Sequence, residues 1–144
     1  MPSDLEKSTA CSPTRRRKRL MRVLYFVLGF LVIAFLAVCF IIGHGVNSIS
    51  EKALRDFPGD KVAALMALVE SERHTFHDKN HAVWALGQLG DPRALPLLRK
   101  YYTGGESDMN TSLSQYELGK AIELCEGETN IGALVWRHGS WGAK

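Results

Sequence analysis

With 144 residues the chain has material for about one domain. Its three cysteines, Cys11, Cys39 and Cys125, are too few and too scattered for a disulfide-stapled fold. The formal charge of +3 is unevenly divided: residues 1–22 hold seven Lys/Arg against two Asp/Glu, residues 44–144 eleven against thirteen, so nothing beyond the terminal arm offers the concentrated positive face that nucleic acids require.

Residues 1–22 read as a basic, mostly disordered tail, rich in Ser, Thr and Pro up to position 14. Residues 23–43, VLYFVLGFLVIAFLAVCFIIG, carry no charge. As a helix they would reach about 32 Å, enough to cross a hydrocarbon core of about 30 Å. A buried core helix would not need an apolar perimeter on every side. A cleaved signal peptide has a shorter apolar run, of about 7–15 residues, and a small-x-small site. The best candidate here, Gly43-His44-Gly45, is poor. Leu36-Ala37-Val38-Cys39 faintly resembles a lipoprotein processing box, but Val38 is too large for it. An uncleaved single-pass anchor is therefore expected. Arg15, Arg16, Arg17, Lys18, Arg19 and Arg22 abut its N-terminal end and no comparable cluster flanks the other. The positive-inside rule then places the N-terminus in the cytoplasm and residues 44–144 outside it, with the bacterial inner membrane as the expected location. The same charges can meet anionic lipid headgroups.

From Asn47 onward there is no sustained two-residue alternation, and helices are expected throughout. Asn47 or Ser48 could cap a first helix ending at Asp56, before Phe57-Pro58-Gly59. Asp60 could cap a second, running to Glu72. Residues 73–79 are polar; a third helix is expected from Asn80 to Leu89 and a fourth from Pro92 to Tyr102. Between the last two stands Gly90-Asp91-Pro92. Gly90 can end a helix in the left-handed conformation, Asp91 can cap the next, and Pro92 suits a first helical position. Pro96 is expected to bend the fourth helix near its start. Residues Thr103–Thr111, TGGESDMNT, read as a mobile loop. A short helix around Ile131–His138 precedes a glycine-containing end.

The same grammar recurs. Ala53–Asp60 parallels Ala85–Asp91 with one extra residue, and Ala121–Glu128 is a weaker copy, at spacings of about 31 and 36 residues. The central stretch, ALGQLGDPRALPLL, resembles the short HEAT-like repeat also found in phycobilisome lyase proteins. That resemblance implies an all-α fold: a small α-solenoid of two to three helix pairs over residues 44–144, following one transmembrane helix. It implies a protein-binding surface and does not imply lyase activity. About three repeats lie near the lower limit of solenoid stability, which leaves homo-oligomerisation or capping by a partner open.

Candidate chemistry is sparse. His74, His77 and His81 stand at spacings of three and four, and His77, His81, Trp84 and Gln88 share a helical stripe. They match no standard zinc pattern, so neither a metal nor a cofactor is expected, and a histidine-based metal or small-ligand carrier is the second reading. Ser107, Ser112, Ser114 and Cys125 lack a nucleophile's context, and an enzyme is not expected. Cys125 reads as a small buried apolar residue. Asn110-Thr111-Ser112 matches a glycosylation acceptor, relevant only in a eukaryotic secretory route. Trp84, Tyr101, Tyr102 and Trp136 are the candidate contacts to a partner protein, since Tyr and Trp are enriched at binding hot spots. The main reading is a membrane-anchored, non-enzymatic adaptor.

Overall fold

The computed structural model describes residues 13–105 and 112–137. They form six α-helices: α1 (Pro13–Asp56), α2 (Lys61–Glu70), α3 (Phe76–Leu89), α4 (Leu95–Tyr101), α5 (Gln115–Cys125) and α6 (Ile131–Arg137). No strand occurs among the described residues. The chain divides into two compact units, residues 1–37 and 38–144. Of the first, the described part is the N-terminal stretch of α1, whose large apolar side chains are exposed. The second is a helical cluster.

Helix α1 is longer than the residues suggest at first reading. It runs without a break through Asn47 and Ser48, so neither caps a new helix. No proline interrupts the chain between the apolar run and Asp56, and the glycines there are covered. A Cβ on Gly45 would lie 3.2 Å from the Trp84 ring, and one on Gly43 3.2 Å from Trp136 Cβ. The helix also begins at Pro13, so Arg15 to Arg22 are helical rather than part of an irregular tail. A proline is tolerated in the first turn, and Arg, Lys and Leu are good helix formers. The expected disorder of the segment before Pro13 lies outside the described residues.

Helix α2 starts where expected: the Asp60 carboxylate accepts from Ala63 N at 2.8 Å, and the helix ends at Glu70, two residues early. Helix α3 starts one turn earlier than the hydrophobic pattern indicates. Thr75 caps it by accepting from Asp78 N, and Asp78 adds a favourable charge in the first turn. Gly90 ends it at φ 60°, ψ 36°, the left-handed cap, and Asp91 accepts from Arg93 N at 2.9 Å. The expected fourth helix divides into a 3-10 turn, Pro92–Ala94, and α4. Pro96 stands in the first turn of α4, where its missing N–H breaks no bond, rather than bending an established helix.

Helix α3 is the centre of the second unit. It packs most extensively on α5 and α2, and more lightly on α6. The closest approach is at Gly87, where a Cβ would stand 2.8 Å from Ala121 Cα. Leu65, Leu68, Leu86, Leu98 and Leu118 are fully buried around this crossing. Cys125 is buried as expected, its thiol donating to Leu86 O at 3.6 Å. Side-chain amides tie the loops down. Asn80 accepts from Ser114 N at 2.8 Å and donates to Ser112 O; Asn130 donates to Gln88 Oε1 at 2.8 Å and accepts from Ala133 N. Of the expected mobile loop, Thr103 and Gly104 both donate their backbone N–H to Gln115 Oε1. The remainder, Glu106 to Thr111, and the segment after Arg137 lie outside the described residues.

Candidate functional site

The second unit holds the C-terminal stretch of α1 by one stripe. Cys39, Gly43, Val46, Ser50 and Ala53 are buried, at spacings of four, three, four and three. That is the period of one helix face. Two tryptophans close on this stretch. Trp136 of α6 lies against Gly43, and Trp84 of α3 against Gly45, two residues along and so on a different side of the helix. Gly132 stands near Cys39 as Trp136 stands near Gly43, one turn apart on each helix, so α6 and α1 run in the same direction here.

The sequence-predicted contact residues are thus divided. Trp136 is only 9% exposed and is used inside the fold. Trp84 is half-buried against α1. Tyr101 is half-buried with Lys100 5.1 Å above its ring. Tyr102 is the outward member of the pair, 46% exposed, its ring lying against Gly119 of α5. Tyr116, one turn before Gly119, is 71% exposed. These two tyrosines border one strip of α5. Tyr116 was missed in the sequence because a single tyrosine at the start of an amphipathic helix carries no signal of its exposure.

The histidines separate as well. His77 and His81 have ring centroids 4.8 Å apart, and His81 lies 6.2 Å from Trp84. His74 turns toward the end of α1, its Nε2 3.4 Å from Asp56 Oδ2 and its ring 5.9 Å from Phe57. Among the described residues no three His, Cys, Asp or Glu side chains converge on a point that could hold a metal.

Two concavities stand out, one between α1 and α6 and one at the start of α2. One, of about 290 Å³, is lined by Phe40, Gly43, His44, Asn47 and Trp136. The other, of about 360 Å³, is lined by Leu54, Gly59, Asp60, Lys61, Val62, Leu89 and Arg93. Lys61 lines the second and reaches the first through Asn47, to whose Oδ1 its Nζ donates at 3.2 Å. In the second, Arg93 clamps the two helix-capping carboxylates, bonding Asp60 at 2.7 Å and Asp91 at 2.7 Å. Asp60 is held below the usual carboxylate range chiefly by the Ala63 N–H, then by Arg93; Asp91 chiefly by Arg93. Asp78 is lowered mainly by its bond to Lys52 at 2.7 Å. Burial instead pushes Glu117 of α5 up.

The fold is that of an all-helical protein compatible with a small helical repeat. Residues 79–103 match the family model of the PBS lyase HEAT-like repeat, a match that takes in α3 from Lys79, the Gly90–Pro92 turn and α4. No curated protein and no solved structure matches the chain. The chain therefore carries a HEAT-like repeat, a unit commonly used for protein interaction. Helix α1 is long and apolar enough to cross a membrane, with a mean hydropathy of 3.0 over its most apolar window.

Proposed function

We propose that this chain is a single-pass membrane protein whose helical repeat unit is held at the membrane surface to dock a partner protein, without catalysis of its own. The observation that carries the reading is the change along α1. From Leu20 to Val38 the large apolar side chains are exposed all round; from Cys39 onward the helix buries one stripe in the repeat unit. A helix apolar on every side needs an apolar solvent, and one with a single buried stripe suits water. The span is then Leu20–Val38, about 28 Å at 1.5 Å per residue, slightly N-terminal to the 23–43 run; its one charge, Arg22, lies near its start, where a long side chain reaches the headgroups. Arg15 to Arg19 sit at its start, supporting a cytoplasmic N-terminus. The docking surface is the strip between Tyr102, at the end of α4, and Tyr116 of α5, exposed aromatic area beside a repeat of a class that commonly binds proteins.

One experiment addresses anchor, orientation and docking in native membranes. A photocrosslinking residue at position 116 is expected to give one discrete protein adduct, and the same residue at position 55 none. In the same cells a membrane-impermeant maleimide is expected to label Glu123→Cys from outside and to reach Cys11 only after permeabilisation; Cys39 and Cys125 are buried. Labelling of Cys11 in intact cells overturns the orientation. A ladder of unrelated adducts, or none, overturns the docking surface.

A further inference from the structure

The pocket between α1 and α6 has a direction. Phe40, Gly43, His44 and Asn47 stand at i, i+3, i+4 and i+7, on one face of α1, with Trp136 as the facing wall. Its lower end is apolar: Phe40 is exposed, and its ring centroid lies 6.4 Å from that of His44. Its upper end is polar: the exposed His44, then Asn47, then the Lys61 ammonium bonded to Asn47 Oδ1. The passage from hydrocarbon to cation takes about two helical turns, roughly 10 Å. At about 290 Å³ the cavity stands near the lower end of the roughly 300–1,000 Å³ typical of small-ligand sites.

A phospholipid has the same gradient over the same length, from acyl chain through glycerol ester to phosphate. None of the residues lining the pocket is acidic; Lys61, bonded to Asn47, brings a cation to its polar end, and Glu51 stands one turn beyond Asn47 on the same side of α1. We propose that this pocket holds the glycerol and phosphate of one anionic phospholipid. The phosphate meets Lys61, Asn47 and the His44 imidazole, and the acyl chains pass Phe40 into the bilayer. Trp136 and Gly43 set the width of the slot. This rests on the reading that Leu20–Val38 spans the membrane, because that reading puts Phe40 and His44 at the depth where lipid esters and phosphates lie.

The test uses the full-length protein, released from detergent micelles in native mass spectrometry, with phosphatidylglycerol or phosphatidylcholine added. The wild type is expected to retain one phosphatidylglycerol in preference to phosphatidylcholine. Lys61→Gln is expected to lower that preference by about fivefold, the worth of one basic residue near an anionic surface. Arg55→Gln, a cation on α1 outside the pocket, is expected to leave it unchanged. His44→Trp, which fills the slot, is expected to exclude the lipid. Circular dichroism on each variant identifies any that fails to fold, and Asn47→Leu replaces such a variant. Equal retention of both lipids, an equal loss in Arg55→Gln, or competition by soluble glycerol phosphate at the same concentration as lipid overturns the inference. So does a protein rather than a lipid adduct from a photocrosslinker at position 44. Alkaline carbonate extraction separates the two failures. Release from the membrane sinks the anchor itself, whereas retention with no lipid preference sinks only the pocket.

Discussion

The two halves of α1 are one helix written in two alphabets. Between Leu20 and Val38 the large apolar side chains are exposed, Arg22 is the one charge, and Gly29 has nothing within 4 Å of where a Cβ would stand. Between Cys39 and Asp56 the buried positions recur every three to four residues, and the glycines at 43 and 45 are each covered by an indole. The hydrogen-bond ladder does not register the change. What differs is what packs on each half: in the first, nothing packs on the helix selectively; in the second, tertiary contacts decide which face is inside.

A charge placed in each half should separate them most sharply. Ile33→Arg is expected to make membrane insertion less favourable by about 2.5–3.5 kcal/mol, lowering the fraction that resists carbonate extraction. In detergent the repeat unit should still melt as the wild type does. Ala53→Arg, which forces a cation into a fully buried position, is expected to cost roughly 4 kcal/mol or more of the repeat unit's stability while leaving insertion intact. If both variants lowered both quantities, the division of α1 at residue 38 would be wrong.

A methyl group should sharpen the same contrast at lower cost. Gly87→Ala would put its Cβ 2.8 Å from backbone at Ala121, and the α3–α5 crossing would have to open; a loss of about 1–3 kcal/mol in chemical denaturation is expected. Gly29→Ala meets nothing, and is expected to leave the denaturation midpoint unmoved while adding helix propensity. A neutral Gly87→Ala would mean that α3 and α5 are further apart than described.

How much of this was legible in the residues divides along the same line. The apolar run, its basic flank, the Gly90 cap, the Asp60 and Asp91 caps and the repeat around Asn80–Tyr102 all come from local chemistry, and local chemistry is what a sequence displays. The continuity of α1 through Gly43 and Gly45 was not legible, because two closely spaced glycines read as a break, and the tryptophans that pack on them come from distant positions. Nor was the start of α3 at Phe76: a Thr75 cap closes on Asp78 within a stretch whose polarity reads as loop. At the site, the aromatic residues were the right type to single out, but exposure depends on α6 folding back onto α1. That fold-back takes Trp136 inside and makes the pocket with Phe40 and His44. Asn47 looked like a helix cap; its role beside Lys61 needs a contact across 14 positions.

The capping carboxylates give a smaller effect. Asp60→Ala removes both the bond from Ala63 N and the link to Arg93, and is expected to cost about 1 kcal/mol, as for other N-caps. Because Asp60, Asp78 and Asp91 are lowered from 3.8, their stabilisation is complete above that pH and is lost as pH falls through their folded values. The repeat unit should therefore weaken in acid below about pH 4, and Asp60→Ala should flatten that slope. Membrane insertion should not change with it, since residues 20–38 hold no carboxylate or histidine and their one charge, Arg22, keeps its proton.

Glu117 should act with the opposite sign and the least amplitude. Its carboxyl, half-buried on α5, is raised above 4.5 mainly by burial, which disfavours the ionised form; the His81 imidazole pulls it the other way and does not prevail. The folded state then binds more protons than the unfolded state between the two values, so this group's contribution declines as pH rises through them. Above both values it is ionised in a place that prefers it neutral. Glu117→Gln keeps the shape and removes the charge, and is expected to raise the denaturation midpoint at pH 7 and leave it unchanged at about pH 3.5, where the wild-type carboxyl is protonated folded or unfolded. A Glu117→Gln variant less stable than wild type at pH 7 would show that His81 holds the carboxylate more firmly than burial opposes it. The α3–α5 face would then be an electrostatic contact, not the apolar one that Gly87 and Ala121 define.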